Sequence, residues 1–225
     1  MTDLNYVNYL NIVGYVVNAL VTFGSSPILG IPNQTDLSFK YQTIITPDGF
    51  TFSIWGIIFI SEGIFAILQM LPALRAKPII QEGVDYWYFV ACLAQAGWVL
   101  AFGYEILTLA LVLMGLILFS LYKIITLQSD ILRGSPKEFW GFRFPFEIHC
   151  GWIFAAFALN VNVVVVSRSN SEIVQAIFGA LSLLAFVAII VFIQFTLKGG
   201  LNYTIPAVFA WALVSTCARN KICQV

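Results

Sequence analysis

The sequence predicts an all-α polytopic membrane protein, a transmembrane helix bundle of about seven spans, and three observations predict it. The chain of 225 residues is 60% hydrophobic and 10% charged, where an average soluble domain is about 45–50% apolar and about 25% charged. Its mean hydropathy is +0.90, an excess of apolar surface that one soluble core cannot hide, so lipid is the solvent for most of the chain. The apolar residues also fall into successive runs of about 17–25 residues, the length that crosses the hydrocarbon at 1.5 Å per residue. Backbone polar groups in lipid must be satisfied within the segment or within a closed barrel. Runs this continuous lack the roughly ten-residue alternation of barrel strands and are read as helices.

The first run, residues 8–29, follows neither a positively charged n-region nor a small-residue cleavage site and is expected to be a retained span. The longest connection comes next, GIPNQTDLSFKYQTIITPD at 30–48. The second run, 50–71, begins in TPDGFTFSIWG and ends at PALRAKP (72–78), whose prolines and cations mark an interfacial loop. Only FGYE separates the third run, 85–103, from the fourth, 105–127. LRGSPKE (132–138) precedes the fifth, 142–166, and LKGGLN (197–202) is a glycine hinge between the sixth, 174–196, and the seventh, 201–218.

Eleven basic and eleven acidic residues cancel, and they lie mostly in the loops. That excludes a nucleic-acid footprint and a polybasic lipid anchor. In a seven-span topology Arg75, Lys77, Lys123, Arg133, Lys137, Arg143 and Lys198 share the face of the N-terminus, against Lys40, Arg168, Arg219 and Lys221 opposite. The bias places the N-terminus on the positive-inside face. Cys92, Cys150, Cys217 and Cys223 have no metal-site or redox spacing and read as small buried hydrophobes.

Ionisable groups inside spans are functional candidates, because an unpaired charge in lipid is expensive. Glu62 shares one face of the second span with Trp55, Phe59 and Ala66, so its carboxyl must face the bundle interior. It is either part of a polar site or a packing acid bonded to a neighbouring helix. In the fifth span Pro145, His149, Trp152, Ala156 and Asn160 fall in a sector of about 80°. His149, the only histidine, could ligate a tetrapyrrole metal or make an interhelical hydrogen bond. Glu147 lies near the interface, four residues from Arg143. Gln95 and Trp98 set an amide beside an indole on the third span, as a site or as helix glue.

Tyr86, Trp87, Tyr88 and Trp140 are read as interfacial anchors. Trp55, Trp98 and Trp152 sit deeper. Three indoles from three helices build either a π-rich small-molecule pocket or a packed core. No P-loop, H-E-x-x-H, dinucleotide fingerprint or nucleophile elbow occurs, so no enzyme is expected.

Three stretches resemble the tryptophan-rich sensory protein and translocator family, TspO/MBR. TPDGFTFSIWGIIF (46–59) is similar to the start of its second helix through Pro47, Gly49, Phe52 and Trp55, with Phe59 where tyrosine is common. LAQAGWVLAF (93–102) is similar to its Leu-Asn-x-x-Trp signature, with Gln95 in place of asparagine and Trp98 kept. GWIFAAFALN (151–160) is similar to the close of the fifth helix at Trp152, Ala156, Leu159 and Asn160, with Ala155 replacing a phenylalanine. The resemblance covers about residues 8–166, and implies a five-helix membrane domain at 1–166 followed by two additional helices and a short tail at 167–225.

It further implies a pocket near the 30–48 loop, with Phe52, Trp55, Phe59, Glu62, Gln95, Trp98, His149, Trp152, Ala156 and Asn160 as its candidate residues. The implied ligand is a tetrapyrrole of haem, porphyrin or chlorophyll type, a sterol or another lipid. The function expected is binding, transport or sensing of such a planar hydrophobic molecule. The alternative from another class is an accessory or scaffolding subunit of a larger membrane complex, and a third is a carrier coupled through Glu62. Expected partners are membrane lipids, a hydrophobic small molecule, and other membrane subunits or a second copy in a homodimer.

Overall fold

The computed structural model describes residues 4–131, 136–198 and 201–219. Arg133, Lys221, Cys223 and the glycine pair of the expected hinge at 199–200 lie outside them. In order, the chain forms α1 (Tyr6–Leu29), α2 (Gln34–Lys40), a 3-10 turn (Gly49–Ser53) running into α3 (Ile54–Leu68), α4 (Pro78–Gln81), α5 (Trp87–Gly103) and α6 (Leu107–Asp130). Then come α7 (Pro136–Glu138), a π-helical turn (Phe139–Arg143) leading into α8 (Phe144–Arg168), α9 (Glu172–Thr196) and α10 (Thr204–Arg219). The described residues contain no strand.

All seven apolar runs are helical, but they differ in reach. Among the described residues, five segments are long and apolar enough to cross a membrane: Tyr6–Leu29, Gly49–Leu68, Leu107–Asp130, Pro136–Arg168 and Glu172–Thr196. The helices α5 and α10, with 17 and 16 residues, are shorter. Two left-handed residues bound α5, Asp85 (φ 48°) and Glu105 (φ 59°), so the narrow FGYE link is a true break. Asn5 and Asn8 form a capping box at the start of α1, and Gly30 closes that helix at its far end with φ 65°, a conformation glycine adopts without a Cβ clash.

Five helices close a ring, α1 against α5, α5 against α6, α6 against α8, α8 against α3 and α3 back against α1, while α9 and α10 pack outside on α8. Small residues set the closest approaches. A Cβ on Gly14 would stand 3.0 Å from the Phe89 ring of α5, and one on Gly151 would stand 3.1 Å from Val208 and 3.3 Å from the Ile205 backbone of α10. Without a hydrophobic drive between helices in lipid, such close packing and interhelical hydrogen bonds hold the bundle together.

The first helix is inverted relative to one from a soluble protein. Its inward face carries Asn8, Asn11, Gly14 and Asn18, whereas Tyr9, Val13, Val16 and Leu20 face outward. Asn8 donates to the Gln69 carbonyl (3.1 Å) and Gln69 donates back to the Asn8 carbonyl (3.0 Å), tying α1 to the end of α3. The most apolar of the candidate spans, α9, has a mean hydropathy of 2.9 and is anchored to α8 by Asn162 donating to Ser182 at 2.8 Å.

The last helix fixes the approach to α3. Ser215 accepts from the Asp48 amide (2.9 Å) and is bonded to Thr51, Trp211 donates to the Thr51 carbonyl (3.3 Å), and Arg219 donates to the Pro47 carbonyl (3.3 Å). Cys92 and Cys150 are the buried free thiols expected. Cys217 instead is disulfide-bonded, a pairing that spacing alone did not show.

Candidate functional site: an indole-walled cavity beneath α2

A cavity of about 350 Å³ lies where the α1–α3 connection folds over the ring. Thr22 and Phe23 at the end of α1 form one side, Asn33 to Asp36 of the connection cover it, Phe52 and Trp55 come from the entry to α3, and Gln95 and Trp98 come from α5. Its volume sits at the low end of the ~300–1,000 Å³ of small-molecule sites. The covering segment is helical because Asn33 caps α2, accepting from the Asp36 amide at 3.0 Å and donating to the Asp36 carboxylate at 2.8 Å.

Trp55 is the junction of the site. Its ring lies 6.3 Å from Trp98, 6.2 Å from Phe59, 6.2 Å from Trp152 and 5.8 Å from the His149 imidazole, the last two edge to face. Such T-shaped and tilted pairs at 4.5–7 Å suit the ring quadrupoles. Trp98 stacks on Phe102 at 5.4 Å and 14°, and its indole N–H donates to Asn160 at 3.2 Å. Asn160 in turn donates to the Ala156 carbonyl at 2.9 Å, which orients its oxygen toward the indole.

The ten candidate residues therefore divide into layers. Phe52, Trp55, Gln95 and Trp98 line the cavity. Phe59, His149 and Asn160 stand behind the indoles, and Trp152 packs edge-on against Phe52 at 5.9 Å. Trp152 and Ala156 also face a narrow crevice of about 20 Å³ toward α9 and α10, so the third indole is shared between core and crevice and does not line the larger cavity. His149 makes an interhelical hydrogen bond. Its Nδ1 is 2.6 Å from Glu62 Oε1, and Tyr88 donates to the other carboxylate oxygen at 3.1 Å.

Glu62, His149 and Tyr88 are all buried, at 0%, 1% and 0% exposure. One proton shared between Nδ1 and Oε1 and a second from the phenol satisfy the carboxylate inside the ring, the condition for keeping such a group out of water. Tyr88, expected as a membrane-belt anchor, is corrected by this placement: two residues past the exposed Tyr86 it lies on the inward face of α5, against Phe65, Phe146 and Glu62. Tyr86 (40%) and Trp140 (61%) are exposed as belt residues are. Among the described residues, no group of three His, Cys, Asp or Glu is placed to hold a metal ion.

The buried asparagines of α1 and the helix in the first connection lie outside the motifs singled out above. Asn8, Asn11 and Asn18, at i, i+3 and i+10, lie near one helical face, and that periodic amide row was the available signal. The helix α2 had the cap Asn33 and the acid Asp36 as its signature.

Lys40, at the end of α2, is 2.6 Å from both Glu105 carboxylate oxygens, and Tyr41 donates to the same group. The Lys40 bond, and then the Tyr41 bond, hold the Glu105 carboxyl below the usual carboxylate range, and the same contact raises Lys40. The Glu105 contribution is thus present above the ordinary carboxylate value and lost as pH falls through the lowered one. The Lys40 contribution is present below the ordinary lysine value and lost as pH rises through the raised one. Protection of α2 amides, corrected for intrinsic exchange, is expected to stay flat through neutral pH and to fall below about pH 4. Lys40→Met should reproduce a severalfold loss at pH 7, and unchanged protection in that variant would show that the pair does not hold α2.

The family described as TSPO-like protein has a model that matches residues 6–224, through both C-terminal helices. No curated protein and no solved structure matches the chain.

Proposed function

Because this chain belongs to the TSPO-like protein family and is an integral multi-pass membrane protein of that type, we propose that it binds a planar hydrophobic ligand in the cavity beneath α2. Binding is the step that transport and sensing share. The observation that carries the reading is the meeting of Trp55 and Trp98, from two helices, as walls of one cavity with Phe52 and the covering segment. Aromatic faces supply apolar contact area, and a few polar groups supply orientation, the usual make-up of a small-molecule site. A tetrapyrrole or a sterol has the flat apolar surface such walls accept.

Titration of the purified protein with a fluorescent sterol and with an uncharged porphyrin, read through tryptophan emission, is expected to saturate. Trp55→Ala should weaken affinity at least tenfold, whereas Trp55→Phe, which keeps a ring on His149 and Trp98, should retain most of it. Absence of saturable binding by any flat apolar probe would remove the proposal.

A further inference from the structure

A second cavity, also of about 350 Å³, opens at the end of the bundle opposite α2, where the end of α6, the π-helical turn before α8 and the link between α9 and α10 meet. This end carries the larger share of Lys and Arg, the mark of the face turned to the leaflet that holds anionic lipids. Among the described residues the cavity is lined by two cations, Arg143 and Lys198, against one carboxylate, Glu147, with hydroxyls from Ser129 and Thr204. Lys198 meets Asp130 at 2.8 Å, but their side chains are 75% and 50% exposed, a surface pair weak enough to exchange for a phosphate. Arg143 donates to the Ile131 carbonyl at 2.8 Å, and a guanidinium carries five N–H donors in a fork that fits phosphate oxygens.

Two apolar grooves lead from this cavity. One, of about 560 Å³, shares Phe139, Tyr203 and Thr204 with it and continues along Ala207 to Trp211 on α10. The other, of about 730 Å³, shares Pro136 and continues along α3 from Leu68 to Ile57. Trp140 and Phe144 line both grooves and are their common wall. At 1.5 Å per residue, α10 rises about 10 Å from Thr204 to Trp211, and α3 spans about 16 Å from Leu68 to Ile57. One leaflet of hydrocarbon is about 15 Å deep, half of the bilayer core. A soluble anion has no use for such grooves, whereas two acyl chains fill them.

We propose that this junction of α3, α8 and α10 is a site for an anionic glycerophospholipid, with its phosphate on Arg143 and Lys198, its headgroup hydroxyls toward Glu147 and Ser129, and its chains in the grooves on either side of Trp140. The site depends on α10, a helix outside the five-helix ring. Its lining has a balance of one positive charge, and one cation near a membrane surface is worth about fivefold in affinity for an anionic lipid.

The test places the purified full chain in phosphatidylcholine vesicles. A small mole fraction is either phosphatidylglycerol or phosphatidylcholine brominated near the glycerol end of its chains, and quenching of tryptophan emission is read. Brominated phosphatidylglycerol is expected to associate about fivefold more strongly than the choline lipid, as one positive charge in the lining dictates. Lys198→Gln, a change at an exposed side chain, should bring that preference below twofold. Trp140→Phe, which keeps a ring between the grooves, should remove at least half of the excess quenching. Glycerol phosphate at millimolar concentration should leave the excess unchanged, and its loss there would mean a site for soluble phosphates and not for a lipid. Equal quenching by the two lipids, or an excess that either variant leaves intact, would overturn the proposal.

Discussion

His149→Leu is expected to destabilise the protein by about 1–3 kcal/mol, the cost of leaving a buried polar group without its hydrogen-bond partner. The variant strips Glu62 Oε1 of its 2.6 Å partner while the carboxyl stays fully buried in the ring of helices, with only the Tyr88 phenol left to serve it. The cost comes from the stranded acid more than from the lost attraction. Replacing the whole set should therefore cost far less than removing one member. The triple variant Glu62→Leu, His149→Leu, Tyr88→Phe exchanges the network for hydrocarbon of similar bulk and is expected to recover most of the loss. Unfolding of the purified protein in a denaturing-detergent titration measures both. A His149→Leu protein within about 0.5 kcal/mol of the parent, the range of changes away from such features, would show that the pair contributes little. A triple variant as unstable as the single one would show that shape, and not the stranded carboxyl, is what matters.

Trp98→Ala is expected to cost about 3–5 kcal/mol, as for other buried tryptophan truncations, and to abolish saturable binding of a flat ligand. Trp98 is 4% exposed, stacks on Phe102, leans on Trp55 and satisfies Asn160. Its loss opens the cavity into the space behind it and frees Trp55 to rotate. Trp98→Phe separates the two roles of the side chain, since the ring remains and the N–H to Asn160 does not. That variant should lose about 1 kcal/mol, the net worth of a typical hydrogen bond, plus a smaller packing term, and should keep ligand affinity within a few fold. If Trp98→Ala binds as tightly as the parent, the cavity wall has been misplaced. If Trp98→Phe is as unstable as Trp98→Ala, the hydrogen bond to Asn160 dominates over the stacking.

The helices were legible because length and hydropathy are local properties. All seven apolar runs became helices, and the expected breaks at FGYE and after the second span fall where the backbone turns. The face of Glu62 was legible too, since helical period alone places Phe59, Glu62 and Ala66 together, and all three are buried. Partners were not. The period that set His149, Trp152 and Asn160 in one stripe says nothing about what stands opposite, and the structure gives His149 an acid, Asn160 an indole, and Trp152 a phenylalanine and a crevice. Tyr88 was misread for the same reason. At the head of an apolar run beside Tyr86 and Trp87 it has the sequence of a belt residue, and only the arrival of α3 and α8 on its side turns it into a hydrogen-bond donor for Glu62.

By itself the sequence determined that the chain lives in lipid, that its seven apolar runs are helices, that Glu62 must turn inward, and which family motifs it carries. Each follows from the cost of exposing a peptide group or a charge to hydrocarbon, a cost that every residue meets within its own segment. Only the tertiary structure decided that α1, α3, α8, α6 and α5 close into a ring, and that Trp55 and Trp98 share a cavity while Trp152 turns partly away. Those outcomes depend on which helices meet and how closely, at Gly14 against Phe89 and Gly151 against Val208. Contacts between residues far apart in the chain leave no period in it.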